Sequence, residues 1–275
     1  MARMLYRRYT PASPLSAFVA CIWYSEGSQG THALERLLPN GESGIVFDLR
    51  EQPVRIYDAC NIERFESYAP AIFCGARTDC FVIDTSRQER VIGIQFRPGG
   101  AFPFLGMPAS EVANATHSLD DVWPMQAALI REELLAANHV GQMFSILERV
   151  LISQLKHSPA PHPGVAFAIR KLAQPAQAIR VRDVADQIGL SSRRLMELFR
   201  DQTGLTPKSF QRVRRFQHVL QSLRRQSDRN WASLAMDCGY YDQAHFIHDF
   251  RLFAGMTPSE YVTAATPHLN HIPIR

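Results

Sequence analysis

The sequence has no long hydrophobic run. Nowhere in its 275 residues do apolar side chains approach the length of about 18 consecutive positions that a membrane-spanning helix requires. The first ten residues, MARMLYRRYT, carry charge but no apolar segment follows them, so the sequence predicts no signal peptide. We therefore expect a soluble cytoplasmic protein that has no membrane partner.

Cysteine is also scarce. The chain has only Cys21, Cys60, Cys74, Cys80 and Cys238. Their number is odd and no two of them have the C-x-x-C spacing, which argues against a disulfide framework and against a zinc site. The nearest pair, Cys74 and Cys80, is better explained as buried thiols than as a redox switch. We predict no metal and no cofactor.

Sequence signatures of catalysis are missing as well. The chain shows no nucleophile and base at a familiar spacing and no phosphate-binding loop, so we predict that the protein is not an enzyme. Asp48, Asp84 and Glu89 are the residues that could meet in a hidden catalytic site within residues 1–155. An enzyme in that region therefore remains an alternative.

Positive charge is unevenly distributed along the chain. Residues 164–275 contain sixteen Lys and Arg against nine Asp and Glu, a net charge of +7, whereas residues 1–163 contain fourteen against seventeen, a net charge of −3. The length suggests two domains, each large enough to bury a core. A basic surface often means only a solvated face, but it also agrees with attraction to phosphate.

Short β-branched and aromatic runs fill the first 100 residues. They lie at 45–49, 54–57, 71–74, 81–83 and 91–96, separated by the turn signals Pro39-Asn40-Gly41, Gln52-Pro53 and Gly75-Ala76-Arg77. Strands at this spacing are typical of a β-sandwich or a β-barrel. The sequence thus predicts an N-terminal β domain in a chain of the α+β class.

Two helices are predicted after these strands, over 124–136 and 141–157. The second has a wide apolar stripe formed by Met143, Phe144, Leu147, Val150, Leu151 and Leu155. We favour packing of this stripe on its own domain, and the alternative is the seam of a homodimer through residues 141–157. A proline-rich linker over 158–163 separates a domain over 1–157 from one over 164–266, and residues 267–275 form a tail.

One pattern of small, aromatic and capping residues occurs twice in the second domain. Ala185, Gly189, Leu195, Phe199, Arg200, Gly204, Thr206, Pro207 and Phe210 match, in order, Ala235, Gly239, Phe246, Phe250, Arg251, Gly255, Thr257, Pro258 and Tyr261, with one extra residue in the second copy. In each copy a glycine that accepts a positive φ separates two short helices, and a polar cap, Ser191 or Asp242, starts the second helix. The pattern indicates a duplicated helix-turn-helix unit.

The second helix of each unit, about 191–202 and 243–254, is predicted to enter the major groove of DNA. Its apolar side chains form one stripe, and at about 100° per residue the remaining side chains fall on the opposite face. The predicted base-reading residues are Ser192, Arg193, Met196 and Glu197 in the first copy and Gln243, Ala244, Ile247 and His248 in the second. Arg193 has the donor fork that suits guanine, and Glu197 has the acceptor that suits cytosine.

A single helix from Pro207 to about Gln226 is predicted between the two units. Its length of about 30 Å is close to the distance of about 34 Å between successive major grooves on one side of B-DNA. One chain could therefore place both recognition helices into consecutive grooves. Phosphate contacts, which position a protein without specifying sequence, are predicted for Arg200, Lys208, Arg212, Arg215 and Arg251.

Residues 164–266 resemble the DNA-binding domain of the AraC/XylS family of transcription regulators. The family pattern A-x-x-x-G-[YF]-x-[DS]-[QS]-x-[HYF]-[FL]-x-x-x-F-[KR]-x-x-x-G-x-[TS]-P-x-x-[YF] is met from Ala235 to Tyr261, with His248 where related domains often carry Arg or Lys. The resemblance implies an all-α domain of two helix-turn-helix units joined by a long helix. It also implies a transcription regulator, predicted to be an activator, with double-stranded DNA and RNA polymerase as partners.

The first half resembles the regulatory domains of some AraC-type proteins. The resemblance lies in Pro39-Asn40-Gly41, Arg97-Pro98-Gly99-Gly100 and Leu119-Asp120-Asp121-Val122-Trp123. It implies a cupin-like barrel and a small-molecule effector, although the H-x-H metal pair of enzymatic cupins is missing and the residues His32, His117 and His139 are scattered. The alternatives are a domain that binds another protein, or an enzyme within residues 1–155, each with an attached DNA reader.

Overall fold

Two antiparallel sheets build the N-terminal part of the protein. The computed structural model describes residues 5–27, 33–50, 52–86, 90–155, 160–174, 179–225, 230–266 and 268–274. Its strands are β1 (Leu5–Tyr9), β2 (Val19–Glu26), β3 (Leu34–Leu37), β4 (Gly44–Asp48), β5 (Val54–Tyr57), β6 (Phe65–Tyr68), β7 (Ala71–Cys74), β8 (Phe81–Asp84), β9 (Arg90–Phe96), β10 (Thr116–Ser118) and β11 (His271–Ile274). One sheet has the order β1-β2-β9-β4-β7-β10 and the other the order β11-β3-β8-β5-β6.

The two sheets are open, so the barrel, one of the two predicted forms, is wrong. Within the described ranges, no pairing joins the outer strands β1 and β10, or β11 and β6, to close either sheet. The six-stranded sheet is apolar on both faces. Successive side chains of a strand point to opposite sides, and apolar residues occupy consecutive positions. On β4, Ile45 and Phe47 pack into the main core, whereas Val46 packs with the second sheet. The six-stranded sheet therefore needs a cover on each side.

Three helices follow the sheets and pack into the main core: α1 (Leu119–Val122), α2 (Ala127–Ala136) and α3 (Val140–Leu155). Met143, Leu147 and Leu151 on α3 are buried in this core, and the ring of Phe144 stacks on that of Tyr9 with 5.5 Å between centroids. The apolar stripe of α3 thus packs on its own domain, as favoured above. Phe144, Val150 and Leu155 of the stripe are only partly buried, so the homodimer seam through residues 141–157 stays a prediction.

The described part of the linker, 160–162, leads into α4 (Pro163–Leu172), while residues 158 and 159 lie outside the described residues. The C-terminal helices are α5 (Val181–Gln187), α6 (Ser192–Thr203), α7 (Pro207–Arg225), α8 (Trp231–Asp237), α9 (Gln243–Ala254) and α10 (Pro258–Ala264). They confirm two helix-turn-helix units, α5–α6 and α8–α9, joined by the spacer helix α7. No helix in the described parts of the chain is both long and apolar enough to span a bilayer.

Glycines shape both units in the same way. Gly189 and Gly239 have φ angles of +69° and +76° at the interhelical turns, and Gly204 and Gly255 end α6 and α9 with φ angles of +81° and +65°. A side chain with a Cβ is strained in this left-handed region, and a helix commonly ends on a glycine there. The matched positions of the sequence therefore correspond to matched backbone conformations.

The last described residues return to the N-terminal domain. β11 pairs antiparallel with β3, with His271 opposite Leu37 and Ile274 opposite Leu34. The residue pattern gives little sign of this strand, since it is short and contains Pro273, a residue that sheets tolerate mainly at an edge. The residues predicted to form a tail thus supply the outer strand of the second sheet.

The two halves of the chain also share their cores. Leu38 is buried among residues of α7 to α10, and Ala76 is buried among residues of α4 to α7. Gln217 on α7 donates a hydrogen bond to the carbonyl oxygen of Pro39 at 2.8 Å. Gly41, with a φ of +75°, lies against Val213 of the same helix. The spacer helix α7 therefore packs on the turn that contains Pro39 and Gly41.

Candidate nucleic-acid interface

The first recognition helix, α6, divides into a buried and an exposed face. Leu195 and Phe199 have no exposed surface, whereas the side chain of Arg193 is 88% exposed. Met196 and Glu197 are exposed on the same side as Arg193. The predicted base-reading residues of this helix therefore reach solvent together; the fourth, Ser192, is partly buried at the first turn.

Arg193 and Glu197 contact each other across one helical turn. Arg193 Nε donates to Glu197 Oε1 at 3.0 Å, and Arg194 Nη1 lies 3.6 Å from Glu197 Oε2. The hydrogen bond from Arg193, followed by the charges of the two arginines, lowers the pKa of Glu197 below its usual range. Since an exposed pair of this kind contributes little stability, base edges can compete for both partners.

The second recognition helix, α9, has the same two faces. Phe246, Phe250 and Phe253 are buried against α7 and α8, in one cluster with Phe216 of the spacer helix. The predicted base-reading residues lie away from this cluster: Gln243, Ala244 and His248 are exposed and Ile247 is partly buried. The second face is less charged than the first, because its exposed side chains are an amide, a methyl group and an imidazole.

Polar caps fix the start of both recognition helices. Ser191 Oγ accepts from the Arg194 N–H at 3.2 Å, and Asp242 Oδ1 accepts from the His245 N–H at 2.7 Å. Each cap satisfies one amide that would otherwise lack a partner within the helix. Asp242 is thus committed to capping, and its negative charge would repel a phosphate at the same place.

Arg212 already binds a carboxylate within the protein, although its side chain is 33% exposed. Its Nη2 donates to Asp249 Oδ1 at 2.7 Å, and its guanidinium lies 5.2 Å from the centre of the Phe253 ring. The Asp249 side chain is 4% exposed, so the pair ties α7 to α9 beneath the recognition face. The phosphate contact of Arg212 stays a prediction.

The other predicted phosphate contacts have different surroundings. Arg200, Lys208 and Arg251 are exposed. Arg215 is partly buried, with its guanidinium 5.1 Å from the centre of the Tyr240 ring. Arg200 and Arg251 occupy the last turns of α6 and α9, at the same place in the two units. These two arginines therefore occupy equivalent positions in the two units.

Tyr241 is a surface residue that was not among the predicted DNA contacts. Its side chain is 90% exposed, directly before the cap of α9. Leu190 N–H and Tyr240 N–H donate to the carbonyls of Ala185 and Ala235 in the two units, so Tyr240 matches Leu190 and Tyr241 is the extra residue of the second copy. The difference of one residue between the two copies indicated an insertion in the second turn. The sequence alone did not show which residue was inserted.

The candidate catalytic carboxylates are used in local turns. Asp48 Oδ1 accepts from the Arg50 N–H at 2.9 Å, and Asp84 Oδ1 accepts from the Ser86 N–H at 3.1 Å. Asp48 ends a strand of the first sheet and Asp84 a strand of the second. Burial raises the pKa of Asp48 to about 6. Glu89, the third candidate, lies outside the described residues.

A cavity of about 400 Å³ lies in the N-terminal domain and reaches residues of both sheets. Its walls include Trp23, Val46, Ile56, Ile72 and Phe81, together with a smaller number of polar side chains. This size and this mixture are typical of sites for small molecules. The cavity is therefore large enough and apolar enough to hold a small molecule.

Two family models match the chain. The model of a helix-turn-helix domain matches residues 184–264, which contain both recognition helices. The model of a domain of unknown function, DUF6597, matches residues 7–118 and thus most of the β-sheet region.

Curated relatives cover parts of the chain. It is similar to the Msm operon regulatory protein of Streptococcus mutans, at 24% identity over 44% of this chain and 46% of that protein. It is similar to the HTH-type transcriptional activator RhaS of Escherichia fergusonii, at 34% identity over 31% and 30% of the two chains. It is similar to the HTH-type transcriptional activator RhaR of an Enterobacter species, at 26% identity over 54% of this chain and 55% of that protein. The chain thus spans between about a third and about a half of the length of these relatives.

Solved structures match either about two fifths of this chain or nearly all of it. An AraC-type regulator from Chromobacterium violaceum matches 38% of this chain and 96% of its own, with 24% identity and a TM-score of 0.35. ToxT from Vibrio cholerae matches 94% of this chain and 98% of its own, with 9% identity and a TM-score of 0.44.

Proposed function

We propose that this chain is an AraC-type transcription regulator that inserts α6 and α9 into successive major grooves of one DNA site. The helix-turn-helix family model over residues 184–264 and the similarity to RhaS and RhaR support the proposal. The observation that carries the proposal is the equivalence of two units whose outward side chains are exposed together. A spacer helix of 19 residues, about 28 Å long, joins them. That length is close to the distance of about 34 Å between grooves on one side of B-DNA.

Base recognition falls to the outward side chains of the two recognition helices. In this proposal Arg193 forks onto guanine and Glu197 accepts from cytosine, while Gln243 pairs with adenine. Met196, Ala244 and Ile247 offer apolar contacts to thymine methyl groups. Ser192 and His248 complete the set, and His248 contributes charge only when its imidazole is protonated.

Backbone contacts come from the exposed arginines and lysine around these helices. We assign phosphate contacts to Arg200, Lys208 and Arg251, with Arg215 as a further candidate at the edge of the spacer helix. Arg212 is also a candidate, since its side chain is 33% exposed although Asp249 binds it. Tyr241 is added, since a tyrosine hydroxyl can donate to a phosphate oxygen and this one stands free beside the start of α9.

Selection from a randomised duplex library tests this function with the full-length protein. We expect an enriched site of about two helical turns, with two windows of hydroxyl-radical protection about 10 base pairs apart on one face of the duplex. Arg193→Ala combined with Gln243→Ala should abolish the enrichment, whereas Arg182→Ala, on the exposed surface of α5, should not. A single protected window, or no enrichment at physiological salt, would refute the proposal.

We also propose a direction of regulation, on the basis of the relatives' names. Because two of them are named transcriptional activators, we propose activation, with RNA polymerase as a partner and the cytoplasm as the compartment. In vitro transcription from a promoter that carries the selected site tests it. Transcripts should increase on addition of the protein, and a decrease would assign repression instead.

We further propose that the cavity in the N-terminal domain is an effector site. A thermal-shift screen of the full-length protein against small molecules tests this, since a ligand that binds only the folded state raises its stability. A hit whose shift disappears when Val46 at the cavity wall is replaced by Trp supports effector sensing. Hits that keep their full shift in Val46→Trp argue against this site.

A further inference from the structure

The cavity has one charged group whose partners are uncharged. Glu42 Oε2 accepts hydrogen bonds from the side-chain amides of Gln95 and Asn40. Burial raises the pKa of Glu42, and the positive charges of Arg214, Arg97 and Arg8 act in the opposite direction. None of these three arginines lines the cavity, but their charges would repel a ligand cation at the carboxylate and would not act in this way on an uncharged donor. The cavity therefore suits a neutral hydrogen-bond donor at this end.

The other charged groups at the cavity wall are already paired. Arg77 Nη1 lies 3.4 Å from Asp79 Oδ1, and its guanidinium stacks on the ring of Phe81 at 4.6 Å. Glu35 is buried and lies 2.8 Å from His271 Nδ1. Neither pair provides an open charge for a charged ligand, and most of the remaining wall is apolar.

One wall of the cavity comes from the far end of the chain. His268, Leu269, Asn270 and His271 line it, although they follow the second helix-turn-helix unit in sequence. We call residues 268–274 the C-terminal strap. Its strand pairs with β3, and Leu38 N–H donates to Asn270 O at 2.9 Å. The cavity is incomplete without this strap.

The same strap is anchored in the second DNA-binding unit. Ile272 is 1% exposed and lies in one core cluster with Phe253 of α9. Tyr261 in α10 donates from its hydroxyl to Leu269 O at 3.0 Å. Beside the strap, Arg36 of β3 donates to the carbonyl of Ala254, the last residue of α9. The position of α9 is thus connected to the wall of the cavity by short contacts.

We propose that the cavity binds an uncharged, mostly apolar molecule with one hydrogen-bond donor directed at Glu42, and that the C-terminal strap closes the site. Because the strap belongs to both the cavity and the core of the second unit, ligand binding and docking of α9 on the N-terminal domain stabilise each other, and the coupling is reciprocal. The docked form leaves Gln243 and His248 exposed, so a ligand favours a state that is ready to bind DNA. Only this last step rests on the function proposed above.

A matched pair of fluorescent probes tests the ligand class on the full-length protein. N-phenyl-1-naphthylamine is neutral, apolar and carries one N–H donor, and 1-anilinonaphthalene-8-sulfonate has the same rings with an added sulfonate. We expect the neutral probe to bind at least tenfold more tightly than the sulfonate, and we expect Val46→Trp to abolish its binding. Equal affinities, or no binding of the neutral probe, would overturn the assignment.

Substitutions in the strap test the closure. Ile272→Asp should speed hydrogen exchange of the β3 amides and weaken binding of the neutral probe at least tenfold. Ala265→Asp, which introduces the same charge at an exposed position before the strap, should do neither. If Ile272→Asp does not fold, Glu35→Gln provides a milder change with the same expected direction. Faster exchange in β3 with unchanged probe affinity would show that the strap does not close the site.

The link to DNA is measured last. The neutral probe should tighten binding of a selected duplex severalfold in the unaltered protein and not in Ile272→Asp. Unchanged DNA affinity in the presence of bound probe would overturn the coupling. Failure of the DNA-binding function itself would appear differently, as a lack of site selection by the protein without any probe.

Discussion

Arg212 on the spacer helix and Asp249 on the second recognition helix form a buried ion pair, with Arg212 Nη2 2.7 Å from Asp249 Oδ1. The carboxylate is almost fully buried, and the guanidinium also lies over the Phe253 ring. The orientation of α9 relative to α7 therefore depends on a polar contact as well as on the aromatic core.

Replacement of Asp249 by Asn should lower the free energy of unfolding. Loss of one partner of a buried pair costs about 3–5 kcal/mol, and because the Arg212 side chain is 33% exposed we expect about 2 kcal/mol. Urea denaturation gives the value, and Asp237→Asn on the exposed surface of α8 is the control. A loss equal to that of the control would mean that the pair contributes nothing; a double-mutant cycle with Arg212→Met isolates its share.

Arg193→Ala should relax sequence specificity at a single base pair. A bidentate contact to guanine discriminates against other bases by about 1–3 kcal/mol. The loss of affinity in Arg193→Ala should therefore appear on the preferred site and vanish on sites in which that guanine is replaced. Binding titrations over a set of operator variants provide the measurement. Equal losses on every variant would assign Arg193 to the phosphate backbone.

Arg251→Ala should weaken binding to all duplexes alike. Removal of one phosphate contact should flatten the slope of log affinity against log salt by about one unit. Titrations between low and physiological salt measure the slope, with Arg149→Ala on α3 as an exposed control in the other domain. An unchanged slope with altered sequence preference would place Arg251 on a base edge instead.

The buried carboxyl group of Asp48 should make stability decrease with rising pH. Burial, its largest cause, raises the pKa from 3.8 to about 6 in the folded protein, so the folded state binds the proton more tightly than the unfolded state. The contribution is fully present below about pH 4 and is lost as the pH rises through about 6. The melting temperature should fall as the pH rises through about 6, and Asp48→Asn should remove this part of the fall. Asp58→Asn, in an exposed turn, should leave the fall unchanged. A decline that persists unaltered in Asp48→Asn would assign it to other groups.

The recognition helices could be predicted closely because their signals are local. The sequence placed the second one at about 243–254 and the structure has Gln243–Ala254, since Asp242 and Gly255 stop the helix at both ends by their own chemistry. The duplicated pattern supplied the first one in the same way. Their exposed faces followed from helical periodicity alone, once the buried stripes were known.

Features that depend on distant parts of the chain could not be predicted. Arg212 lies away from the apolar stripe of its own helix, and nothing in the sequence indicates that Asp249, 37 positions later, would be buried beside it. The strand β11 exists because β3 offers it a partner, and its own four residues give only a weak signal. Gly41 was identified as part of a turn, but its contact with Val213 needed the packing of two domains.

Tyr241, the one residue by which the second turn exceeds the first, makes the two units unequal. Two unequal units joined head to tail in one polypeptide cannot bind a site equally well after it is rotated by half a turn. We expect the protein to sit on DNA with a fixed polarity, so that its N-terminal domain always lies toward the same neighbouring gene. Inversion of the site in a promoter would then move that domain to the opposite flank, even though every base contact is kept.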